Sequence, residues 1–150
     1  MPEHIALDKV ESTLNELIET LRETHEAYKE MGARLHDARA KRLFLEETRV
    51  RAEYAAALEN ELHRLGVHDV KAGASLRAKA HLRWGKVQAS LAASQKALLS
   101  TAEKRDDAAS EAYANALKHE LPLPLRELLE RQQEHIQRVH DKVRALHDLG

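Results

Sequence analysis

Four stretches of this chain repeat apolar residues every three or four positions, and the gaps between them are unequal. The first and last gaps, near His36 to Arg39 and Leu121 to Leu123, are short, whereas the middle one runs from Gly66 to Ser94. Short gaps force neighbouring helices to pack antiparallel as hairpins. The long gap removes that constraint from the second and third helices. Within it Leu76, Ala80, Trp84, Val87 and Leu91 step by four, four, three and four residues. A helix over 75–92 would reach about 27 Å at ~1.5 Å per residue. Such a connector returns along most of a bundle and leaves the second and third long helices parallel. The expected fold is therefore all-α: a four-helix bundle with one long crossover that holds a fifth, shorter helix.

The boundaries follow from the same pattern. Helices are expected over about 8–34, 38–65, 75–92, 95–119 and 124–148, within one domain covering 1–150. Asp8 with Glu11 has capping-box spacing. Asp37 and Ser94 are placed to accept from the free amides that open the second and third long helices. Gly66 stops the second. Pro122 and Pro124 break the chain before the last, where Pro124 suits a first turn. Apolar spacing of three and four in all four segments fits left-handed packing at crossing angles near about +20°.

Composition narrows the function more by exclusion than by suggestion. The formal net charge is −1, so no global field selects nucleic acid. There is no cysteine, which removes disulfides, thiolate metal sites and cysteine nucleophiles. The five glycines are scattered and form no phosphate-binding loop. The amino-terminal residues carry no signal-peptide pattern and no apolar run approaches ~20 residues. A soluble, cytoplasmic protein is expected. From Val70 to Ala102 no residue is acidic, and Lys71, Arg77, Lys79, Arg83 and Lys86 flank Trp84. This series is expected to face water while Leu76, Trp84, Val87 and Leu91 cover the bundle; neither nucleic acid nor a membrane surface is the expected partner.

Polar residues interrupt the apolar stripes at comparable heights. Glu47 stands at a core-spaced position between Leu43 and Val50, Asp106 interrupts the third long helix, and His140 adjoins the stripe of the fourth. Thr24 and His25 fall in the break between Leu21 and Tyr28. Counted from the common end, His25, Glu47, Asp106 and His140 lie roughly 12 to 17 Å down the bundle. Carboxylates and imidazoles converging there are the ligand types that hold iron, manganese or zinc, so these four are the candidate metal ligands. Against this, none of the ten histidines has an acidic residue three positions before it. Gln132-x-x-His135 and Gln137-x-x-His140 carry an amide instead, and Arg51 in the interior would neutralise Glu47 or Asp106. A hydrogen-bonded polar layer is thus the leading expectation for this level, and metal binding the alternative.

The stretches Leu14-Asn15-Glu16-Leu17-Ile18-Glu19-Thr20, Leu43-Phe44-Leu45-Glu46, Arg51-Ala52-Glu53-Tyr54-Ala55, Glu130-Arg131-Gln132 and His140-Asp141, in this order, carry a resemblance. The chain resembles the bacterial, mostly proteobacterial, ferritin-like four-helix-bundle proteins classed as a conserved domain of unknown function. The likeness runs through the Leu121-Pro122 turn and implies the ferritin-like fold, with no assigned activity. Ferritin and rubrerythrin relatives use Glu-x-x-His pairs that this chain lacks, so only Asp106 and His140 would be remnants of their site. The expected function is non-catalytic, exerted as a homodimer or with a protein partner.

Overall fold

The computed structural model describes residues 7–67 and 94–149. They form four helices and no strand: α1 (Leu7–Arg34), α2 (Ala38–Arg64), α3 (Gln95–Ala116) and α4 (Leu123–Leu149). The helix expected over 75–92 and the basic series around Trp84 lie outside the described residues. Among the described residues, no helix is long and apolar enough to cross a membrane.

Local signals set the ends of these helices. Asp37, in extended conformation, accepts from the Ala40 amide at 2.9 Å and starts α2. Ser94 does the same for Ala97 at 3.1 Å and starts α3. At the end of α2, Gly66 takes φ +92°, the left-handed region that glycine enters without steric cost. The Val67 amide then donates back to the Leu62 carbonyl at 2.9 Å, satisfying a carbonyl the helix would leave open. α3 ends at Ala116, short of the expected 119, because the amides of Lys118 and His119 turn back onto Asn115 and Ala116. Arg126 fastens this turn by donating to the Leu117 and His119 carbonyls at 2.9 and 2.7 Å.

The α1–α2 and α3–α4 hairpins pack closely, α1 also lies against α3, and α2 and α4 touch least of these neighbouring pairs. Gln95 fixes the relative direction. Its side chain accepts from the His36 amide at 2.8 Å and donates to the Arg34 carbonyl at 2.9 Å, so α3 begins beside the α1–α2 turn. α1 and α3 are therefore antiparallel and α2 and α3 parallel. At Gly32, a β-carbon would stand 3.2 Å from Phe44 Cβ, which shows how closely α1 approaches α2.

The core is divided along the bundle axis. One apolar cluster includes Leu14, Leu17, Leu21, Leu58, Leu62, Leu125 and Leu129. The other, nearer the α1–α2 turn, includes Met31, Phe44, Leu98, Ala102, Val139 and Val143. Burying each large aliphatic side chain contributes about 1.5–3 kcal/mol, so these clusters supply the main driving force. Between them lies a set of buried polar groups. Caps should count visibly against this background: Asp37→Ala is expected to cost about 0.5–2 kcal/mol, read as a lower denaturation midpoint with unchanged slope.

Candidate functional site

Arg51 is the centre of the polar layer. It projects inward from α2 and is 0% exposed, with Glu47 at 1% and Asp106 at 0%. Glu47 and Arg51 are four residues apart and share a helix face, and Arg51 Nε donates to Glu47 Oε1 at 3.0 Å. The other edge of the guanidinium crosses the bundle to α3. There Nη1 donates to Asp106 Oδ1 at 2.8 Å and Nη2 to Oδ2 at 3.2 Å, the fork-to-fork geometry that only Arg provides. Tyr28 of α1 donates its hydroxyl to Asp106 Oδ2 at 2.6 Å. Its ring lies under the guanidinium, 4.9 Å from Arg51 Cζ, and tilts against Phe44 at 4.7 Å. α4 closes the layer, with His135 Nε2 and Glu47 Oε2 2.8 Å apart.

A second polar contact flanks this one. Tyr113 of α3 donates to Gln132 Oε1 at 2.6 Å, and Gln132 is buried. Gln132 and His135 stand three residues apart on α4 and meet different partners, Tyr113 and Glu47. His135 also meets Tyr54 edge-on at 5.6 Å. Its side chain is 26% exposed, so the layer reaches solvent at the α2–α4 side.

The electrostatics match the geometry. Burial would pull the Arg51 guanidinium down, but Asp106, Tyr28 and Glu47 hold it firmly charged. Burial pushes the Asp106 carboxyl above its usual range, more than Arg51 and Tyr28 pull it down. Burial also opposes ionisation of Glu47, yet the bonds from His135 and Arg51 prevail and hold it below the usual glutamate range. Tyr28 is raised well above a normal phenol, chiefly by burial and then by the Asp106 charge. It remains a neutral donor.

The four residues singled out as candidate ligands do not gather at one point. Glu47 and Asp106 share the layer, with the Arg51 guanidinium between them. His25 is turned to the α1–α2 seam, where Nδ1 donates to the Thr48 carbonyl at 2.7 Å. His140 lies about 7.5 Å further along α4 than His135, by the ~1.5 Å rise. It bridges Asp107 at 2.9 Å and Asp141 at 3.3 Å instead. Among the described residues, no three His, Asp or Glu side chains come together as a metal ion would need. Tyr28 and Tyr113 fill apolar stripe positions in the sequence, so nothing there marks their hydroxyls as partners of Asp106 and Gln132. The same three-residue step precedes both candidate imidazoles, Gln132 before His135 and Gln137 before His140, so spacing does not choose between them.

Removing Arg51 would leave two buried carboxylates unpaired, which typically costs 3–5 kcal/mol. Arg51→Met should therefore lower stability by about 3–5 kcal/mol. Adding Glu47→Leu, Asp106→Leu and Tyr28→Phe to it should recover most of that loss in chemical denaturation. Glu47→Gln should cost about 1.5–3 kcal/mol at neutral pH. Since the folded-state carboxyl titrates below its unfolded value, the cost is full above about pH 4.3. It shrinks as pH falls through the lowered folded value, which denaturation midpoints measured against pH will show.

The family model described as "Domain of unknown function (DUF2383)" matches residues 9–119. The match takes in Tyr28, Glu47, Arg51 and Asp106 and ends before α4. No curated protein matches the chain.

Proposed function

We propose a function from the buried layer itself, since the chain belongs to the family described as a domain of unknown function (DUF2383), which brings no activity with it. The protein is a ferritin-like bundle whose central cation is its own Arg51, and it acts without catalysis, through self-association. One observation carries the reading. The guanidinium occupies the space between Glu47 and Asp106 and takes up both carboxylates, at 3.0, 2.8 and 3.2 Å, with no exposure to water. A metal ion there would have to displace a buried cation held by three hydrogen bonds. Both carboxylates already accept hydrogen bonds from Arg51, and a metal ion in its place would forfeit the fork geometry on Asp106. With the interior occupied, the outer faces of the helices are left to do the work.

Elemental analysis of gently purified protein tests the first half. No stoichiometric iron, manganese or zinc is expected. Near-stoichiometric metal that disappears in Asp106→Ala and His140→Ala would overturn the reading in favour of a metal site at Glu47, Asp106, His140 and His25. The complementary variant is Arg51→Ala, which vacates the cation position beside Glu47, Asp106 and His135. Manganese or zinc should raise its melting temperature by several degrees, as any ligand selective for the folded state does. The wild type and Arg51→Ala/Asp106→Asn should not respond. Sedimentation velocity tests the second half: a dimer is expected, and a monomer at all concentrations would refute self-association.

A further inference from the structure

The end of the bundle that holds the α1–α2 turn contains a cavity of about 360 Å³. Its place follows from the fold: the start of α2, the start of α3 and the end of α4 converge there. The floor is apolar. Leu35 is 2% exposed and Leu99 8%, and Leu146 is half-buried beside them. The mouth is basic. Arg39 and Lys96 line it from the first turns of α2 and α3, both are exposed, and among the described residues neither is held in an ion pair. The nearby acid and imidazole are engaged elsewhere. Asp37 holds the Ala40 amide at 2.9 Å, and His147 faces Glu103 at 3.3 Å.

We propose that this cavity is a binding site for a small, free anionic amphiphile, such as a medium-chain carboxylate. An aliphatic tail would cover Leu35, Leu99 and Leu146, and the carboxylate would meet Arg39 and Lys96 at the mouth. The volume lies in the usual range for small-molecule pockets, roughly 300–1,000 Å³. Both halves of the ligand are required. A purely apolar molecule leaves the two cations unanswered, while a simple anion gains only a solvent-screened contact. A lipid surface is a poorer match, because the apolar floor is recessed and the rim around it is charged. The site is about 10 Å along the axis from the Arg51 layer, seven residues on α3 from Leu99 to Asp106 at ~1.5 Å each. It is independent of the function proposed above, and neither stands or falls with the other.

The test is isothermal titration of the full chain with hexanoate, octanoate and decanoate below their micelle concentrations. Saturable 1:1 binding is expected, tightening about fourfold per added methylene until the cavity is filled. Arg39→Glu/Lys96→Glu changes only exposed side chains, so its melting temperature should match the wild type while octanoate binding falls at least tenfold. Octanol, with the same tail and no charge, should bind at least tenfold more weakly than octanoate. Failure of decanoate to saturate, equal binding of octanol, or undiminished binding by the double variant would each overturn the proposal. Vesicles containing anionic lipid are the final arm. No co-sedimentation is expected, and binding to vesicles without binding to free decanoate would replace the free ligand with a membrane.

Discussion

The ion pair from Arg51 to Asp106 crosses the bundle between two helices that run parallel and make little other contact. Hairpin neighbours are placed by their short loops, but α2 and α3 have no such tie. The guanidinium supplies one, and it is directional. A one-residue slip or a small rotation of α3 would break both hydrogen bonds to Asp106 and leave charges buried without partners. Apolar clusters above and below tolerate small shifts far better, since dispersion and hydrophobic burial have no preferred direction. The layer thus fixes register, and the clusters provide the free energy.

This division of labour follows from the cost of burying charge. Each ion loses several kcal/mol of hydration in an interior, and its partners regain that only when geometry is favourable. Here every strong donor edge of Arg51 is used: Nε goes to Glu47, and the fork goes to Asp106. Each carboxylate has a further partner, the Tyr28 hydroxyl on Asp106 and His135 on Glu47. Tyr28 adds its ring face beneath the cation. All four helices contribute at least one partner, so the layer can be complete only when the whole bundle is assembled.

The same arrangement bears on chemistry. Carboxylates on facing helices are the raw material of metal sites, and a bundle of this type places them at a common depth. An arginine of matching reach ties that material into a hydrogen-bonded network. On the side where α2 and α4 make few contacts, partly exposed His135 stands against Glu47 and Tyr54, and there the layer reaches solvent.

The four long helices, the caps of α2 and α3 and the short hairpin turns were legible in the sequence, because they depend on local facts: a spacing of three and four, Asp37 and Ser94 at helix starts, Gly66 at a helix end. Asp8, by contrast, lies inside the first turn of α1 rather than capping it. That Glu47 and Asp106 are interior polar residues was legible too, since each breaks an apolar stripe at a core-spaced position. Which groups meet them was not. The choice between His135 and His140 depends on how far α4 slides and turns against α2, and one step of five residues moves an imidazole from the layer to the Asp107 side of α3. Tyr28 and Tyr113 were indistinguishable from core aromatics until their hydroxyls were placed. Sequence by itself determined the elements and their polar interruptions, because periodicity and capping act over a few residues. Only tertiary structure decided that Arg51, rather than a metal ligand set, organises those interruptions, because that outcome rests on angstrom-scale contacts between helices far apart in the chain.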